Sequence, residues 1–146
     1  MGTWPIATIT DDQIALVEES FDSFYPAAYD AVASTFYDEL FQRDPLVRAL
    51  FPHDLHDQRR KLMMAFNIAV HGLRHPSSMR PVLRHLGQIH AQLGIERSHY
   101  TTMEQALLAT IRQHAGARFT PEIALAWQAA FAVIVETMLT TEGSDG

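Results

Sequence analysis

Apolar residues recur along this chain at three- and four-residue steps from Ile14 to Met138. Nowhere do they alternate residue by residue between hairpin turn signals. That period places one apolar stripe on each of a series of helices and predicts no strand. Thr10 and Gln13 form a capping box ahead of the first stripe, Ile14, Val17, Phe21 and Phe24, a helix of about four turns. Pro26 breaks it and suits the first turn of the next helix, which carries Tyr29, Val32, Ala33, Phe36, Tyr37 and Leu40. Asp44-Pro45 opens a short helix with Leu46, Val47, Leu50 and Phe51, and Phe51-Pro52 ends it, because the residue before proline avoids the α region. A polar link, His53 to Asp57, leads into a long helix with Gln58, Leu62, Phe66, Ala69 and Leu73 on one side. Arg74-His75-Pro76-Ser77-Ser78 reads as a loop. The following helix, Met79 to Gln92, is expected to turn Val82, Leu83, Leu86 and His90 inward and to stop at Gly94. Another begins near Ser98, shows Tyr100, Met103, Leu107 and Ile111, and closes at His114-Ala115-Gly116. Thr120-Pro121 caps the last, with Ile123, Trp127, Phe131, Ile134 and Met138.

The fold class is therefore all-α. With 146 residues and no repeat or linker, one domain over 1–146 is expected, its core from about 10 to 142, with a flexible arm at 1–9 and tail at 143–146. The net charge of −6, without a basic stripe, excludes the usual electrostatics of nucleic-acid binding. The absence of cysteine excludes disulfides, iron–sulfur clusters, zinc–thiolate sites and thiolate-ligated haem. The first residues lack the charged and apolar regions of a signal peptide. The densest apolar stretch, Ala129 to Val135, is far short of the ~18 residues of a membrane span. The expected location is the cytoplasm, with no membrane partner. Nothing in the pattern chooses between a monomer and a homodimer.

Four chemistries fall on four helical segments: the phenol of Tyr37, the phenyl ring of Phe51, the amide of Gln58 and the imidazole of His90. Together they could enclose one flat iron-bearing ligand, which points to haem. His90 has two readings, an axial iron ligand or a buried histidine satisfied by a backbone carbonyl. His71 and His75 lie four apart on one helical face, but the segment has no third ligand and lacks the glutamate of a zincin motif. His53, His56, His85, His99 and His114 read as surface residues. An O–H from Tyr37 and an N–H from Gln58 would stabilise negative charge on a diatomic ligand in a dry pocket.

The order and spacing of Phe36-Tyr37, Leu40-Phe41, Asp44-Pro45, Leu50-Phe51, Gln58-Arg59, Leu62, His90 and Tyr100 resemble bacterial single-domain globins and the globin half of flavohaemoglobins. The likeness covers roughly Ile14 to Glu142. It implies a globin fold, a 3-on-3 helical sandwich, with the D helix short or absent because the link from Phe51 to Gln58 is short. It implies haem b (iron protoporphyrin IX), with His90 as the metal ligand and Phe51, Gln58, Leu62, Leu86, Ile95, Tyr100 and Met103 around the cofactor. The resemblance makes Tyr37 and Gln58 the distal pair and Leu62 an apolar gate, with His56 a weaker distal rival. Tyr100 and Glu142 become the proximal partners of His90, a carboxylate there lending the imidazole electron density. The implied ligands are O2, NO or other diatomics. The implied activity is oxidation of nitric oxide to nitrate by Tyr37, Gln58, His90, Tyr100 and Glu142, with electrons from an external reductase. The same pocket would also serve oxygen storage, delivery or sensing through a partner protein, and a globin-shaped module without haem is a third possibility.

Overall fold

Thr10 caps the first helix as the sequence predicts. Its hydroxyl accepts from the Gln13 N–H at 3.1 Å and the Gln13 side chain accepts from the Thr10 N–H at 3.0 Å. The computed structural model describes residues 8–140. Among these, 81% are helical and none is in a strand. The expected flexible tail and most of the N-terminal arm lie outside the described residues; of that arm, Ile9 packs on the core.

Six helices carry the fold: α1 (Asp11–Asp22), α2 (Tyr29–Arg43), α3 (His56–Gly72), α4 (Pro76–Gln92), α5 (Arg97–Ala115) and α6 (Pro121–Leu139). Short 3₁₀ helices at Pro45–Leu50 and Gly116–Arg118 follow α2 and α5. No helix lies between Leu50 and His56, so the expected absence of a D helix holds. The packing divides the helices into two layers. One holds α1, α3 and α4, with α3 touching both of the others; the second holds α2, α5 and α6, with α5 between. Contacts of α1 and α4 with α6, and of α2 with α3, join the layers. This is a three-on-three sandwich.

Thr120 caps α6 through its hydroxyl, which accepts from the Ile123 N–H at 3.2 Å, and Pro121 takes the first helical position. By length and composition α6 could cross a membrane, contrary to the expectation drawn from its densest run alone. In this fold its apolar character has another use. Ala126, Trp127, Ala130, Phe131, Ile134 and Val135 are buried where α1, α4 and α5 meet it.

Several local expectations need correcting. Pro76 to Ser78 are the first turn of α4, not a loop, since proline at the first position gives up no helical N–H. Pro81 lies inside that helix and does not end it. The first helix ends at Asp22, so Phe24 sits in the turn that follows, though still buried. Pro26 belongs to the same turn rather than to α2. Val82 does not face inward; it is 45% exposed, and Met79, Leu83 and Gly87 carry the buried face of α4. Leu46 is exposed, because the 3₁₀ helix presents only Val47 to the core. His99 and His114 are half-buried. The His99 Nδ1 accepts from the Glu96 N–H at 2.8 Å, and the His114 Nε2 bonds the Thr35 hydroxyl at 2.9 Å.

Gly87 fixes how closely α4 approaches α6. A Cβ there would overlap the Met138 carbonyl oxygen and lie 2.8 Å from its carbonyl carbon. The obstacle is backbone, which cannot rotate away. Gly87→Ala should therefore cost about 3 kcal/mol, the upper part of the range for overpacking. Thermal or urea unfolding would show this as a lowered midpoint. An unchanged midpoint would mean the two helices separate freely.

Candidate haem site

The site begins with α2, where period-3.6 spacing puts Phe36, Tyr37 and Leu40 on the buried face. Tyr37 is 3% exposed and ringed by Phe36, Phe41 and Phe51, with ring centroids 5.4, 5.7 and 5.4 Å away. Such aromatic pairs contribute about 0.5–1.5 kcal/mol each beyond their burial, so the phenol is held in one place. The Gln58 amide, in the first turn of α3, donates to the Tyr37 hydroxyl oxygen at 3.1 Å. Arg59 ties that turn to α2 through Asp30 at 2.8 Å. Because the Tyr37 oxygen is an acceptor in this bond, its own proton is available to a group in the cavity. Burial pushes the Tyr37 hydroxyl up to about 12, opposed by the Gln58 bond, so the phenol keeps that proton.

Across the cavity, His90 sits in the last turn of α4. The end of that helix is a Schellman motif: the Ile95 N–H donates to the His90 carbonyl at 2.9 Å and the Gly94 N–H to that of Ala91 at 3.0 Å. Gly94 makes the reversal at φ +84°, a conformation that disfavours side chains. This cap fixes His90 and turns Ile95 toward the same space. The imidazole Nδ1 and the Tyr100 hydroxyl are 3.0 Å apart. Either tautomer allows this bond, but only the one protonated at Nδ1 leaves Nε2 a lone pair. Burial lowers the His90 pKa, favouring the neutral ring that a metal needs. Burial also pushes the Tyr100 phenol up to about 12, so both partners are neutral.

Between these walls lies a cavity of about 360 Å³, lined by α2, α3, α4, the Pro45–Leu50 helix and the segment after it, with α5 and α6 at the back. The volume falls within the ~300–1,000 Å³ typical of cofactor sites. Tyr37, Phe51, Gln58, Leu62, Leu86, His90, Ile95 and Met103, all singled out in the sequence, line it. Tyr100 does not. It is 1% exposed and hydrogen-bonds the His90 imidazole, so it meets the cavity through His90. Glu142 lies outside the described residues. His56 is exposed and does not line the cavity. Near the other histidine pair, His71 bonds Asp22 at 3.3 Å.

The lining also includes residues that sequence reasoning did not assign to the site, Lys61, Ala65, Ile89 and Leu93 among them. Lys61 and Ala65 lie three and seven residues after Gln58, on the same stripe of α3, so spacing alone would have found them. The residues fit a haem on structural grounds. An apolar space has one neutral imidazole on its α4 wall, one ring nitrogen held by a phenol, and a hydrogen-bonding pair on its α2–α3 wall.

The globin family profile matches residues 34–138. The chain belongs to the globin family. A flavohemoprotein of Chromobacterium violaceum is 29% identical over 115 residues, which is 77% of this chain and 28% of that relative. The chain spans 28% and 29% of the length of two such flavohemoproteins and 34% of a third. A leghemoglobin of Psophocarpus tetragonolobus is 26% identical over 84% of this chain and 90% of its own length. Among solved structures, an engineered carbene transferase from Rhodothermus marinus matches with a TM-score of 0.81 and 24% identity, covering 94% of this chain and 96% of the other. A bacterial globin from Campylobacter jejuni gives 0.78 and 21%, over 89% and 94%. These two likenesses establish the globin fold. Family membership implies a haem and diatomic ligands, which agrees with the residues around the cavity.

Proposed function

We propose that this globin holds haem b through His90, binds O2 tightly, and uses it to oxidise nitric oxide to nitrate in the cytoplasm, with electrons from a reductase. The observation that carries the reading is the pairing of Tyr37 with Gln58 opposite the pairing of His90 with Tyr100, across one apolar cavity. Likeness to flavohemoproteins supports it. Bound haem supplies reversible oxygen ligation and one-electron redox chemistry.

The chain's own residues do the rest. The Tyr37 proton and the second Gln58 N–H would be the donors offered to a diatomic ligand carrying negative charge in the cavity. In a dry cavity such bonds are stronger than in water. Phe51, Leu62 and Met103 exclude water from that charge. Tyr100 accepts from the Nδ1–H of His90, which fixes the tautomer and strengthens Nε2 as a donor. One electron balances each turnover, since NO, O2 and an electron give nitrate.

The experiment supplies nitric oxide to the haem-loaded, oxygenated protein in the presence of a flavin reductase and nicotinamide. Nitrate should form in step with the nitric oxide consumed. Slow consumption, with nitrate far below the nitric oxide supplied, would overturn the dioxygenase reading and leave oxygen storage or sensing.

A further inference from the structure

The link from Phe51 to Leu55 joins the Pro45–Leu50 helix to α3 and belongs to neither. Its carbonyls are therefore not paired within a helix, and backbone acceptors need partners. Arg48 supplies the donors. Its guanidinium reaches forward over the link to the carbonyls of Phe51, Pro52 and His53, at 3.3, 3.0 and 2.9 Å. The same group lies over the Phe41 ring, 5.2 Å from its centroid. Packing does little to hold the middle of the link, since Pro52, His53 and Asp54 are exposed.

Both contacts of Arg48 bear on the cavity. Phe41, Phe51 and Tyr37 form a closed triangle of rings. Centroids are 5.6 Å apart between Phe41 and Phe51, 5.4 Å between Phe51 and Tyr37, and 5.7 Å between Tyr37 and Phe41. Arg48 holds two corners, Phe51 through its backbone and Phe41 through its ring. Tyr37 is the third. A planar fork of N–H groups meets several carbonyls at once and stacks on a ring, which a single ammonium group does poorly.

We infer, resting on the haem reading above, that Arg48 is a positioning residue for the wall that carries Tyr37. By closing the link it fixes Phe51 and Phe41, and through them the direction in which Tyr37 presents its hydroxyl to a ligand. Arg48 does not line the cavity, so it acts only through these neighbours.

Two substitutions and one background test the role. Arg48→Met keeps a long stem and loses the fork; Arg48→Lys keeps the charge. In the apo proteins, hydrogen exchange is read at the Phe51 amide, which bonds the Arg48 carbonyl at 3.2 Å, and at the His56 amide, which bonds the Asp54 carboxylate at 2.9 Å. Arg48→Met should speed exchange at both by at least about fivefold, with the amides of α5 and α6 unchanged as a sign of an intact fold. In the haem-loaded proteins, Arg48→Met should release oxygen roughly three- to tenfold faster, as for a hydrogen bond misaligned rather than removed. It should also broaden the infrared band of bound carbon monoxide, because the phenol then takes more than one orientation. Arg48→Lys should resemble Arg48→Met. In a Tyr37→Phe background, Arg48→Met should add nothing to oxygen release, since the two act in series. Unchanged exchange in Arg48→Met, or wild-type behaviour of Arg48→Lys, overturns the clasp. An unchanged oxygen release, or the same increase with and without the Tyr37 hydroxyl, overturns the positioning role while leaving haem binding intact. A wild-type chain that takes up no haem overturns the haem reading and the role together.

Discussion

His90→Ala should lose at least about a hundredfold in haem affinity while the apo protein folds as before. Removing a group one bond further from a metal already costs ten- to hundredfold, and this substitution removes the ligand itself. The fold tolerates it because the ring is only half-buried and, among the described residues, its hydrogen bond is to Tyr100. The Schellman cap uses the backbone of residue 90, which alanine retains. Hemin titration followed by the Soret band, with far-ultraviolet circular dichroism of the apo form, separates ligation from folding. Imidazole added in solution should enter the space left by the ring and restore part of the colour. Tyr100→Phe should fall between wild type and His90→Ala, since it frees the ring to rotate without removing it. If His90→Ala took up haem as wild type does, the iron would be held by some other residue, and the pairing with Tyr100 would be ordinary core packing.

Much of this arrangement was legible in the sequence, for a physical reason. Each helix buries one stripe, and that stripe writes a 3.6-residue period into the chain. The positions of Tyr37, Gln58, Leu62 and His90 on facing helices follow from it. What the period could not show is where two helices come closest. Gly87 carries no side chain and leaves no apolar signal, yet it determines the separation of α4 and α6. The period does put Lys61 on the Gln58 stripe, but the charged head hides an apolar stem that can line a cavity. Pro76 illustrates a third limit. Proline near serines marks a loop or the first turn of a helix with the same letters, and only the packing of Met79 distinguishes them. Tyr100 is on the buried face of α5, but facing inward does not say what stands between: it bonds His90 and does not itself line the cavity.

Replacing Tyr37 by phenylalanine should raise the rate of oxygen release at least tenfold. The substitution keeps the ring and its three aromatic neighbours, so the cavity should hold its shape. It removes one hydroxyl proton. A hydrogen bond to a charged partner is worth about 1.5–3 kcal/mol, or roughly ten- to a hundredfold and more in a rate governed by escape. The lower figure is the safer floor because of Gln58. In the wild type its amide is committed to the Tyr37 oxygen. Without that oxygen the amide can turn wholly toward the ligand and recover part of the loss. The two side chains should therefore be non-additive. Gln58→Leu alone should release oxygen only modestly faster, since Tyr37 still donates. The double substitution should exceed the product of the single effects, because neither donor is left to compensate. Stopped-flow displacement of oxygen by carbon monoxide measures all four proteins. If Tyr37→Phe released oxygen at the wild-type rate, the phenol would have no hold on the ligand, and its bond with Gln58 would be merely a strut between α2 and α3.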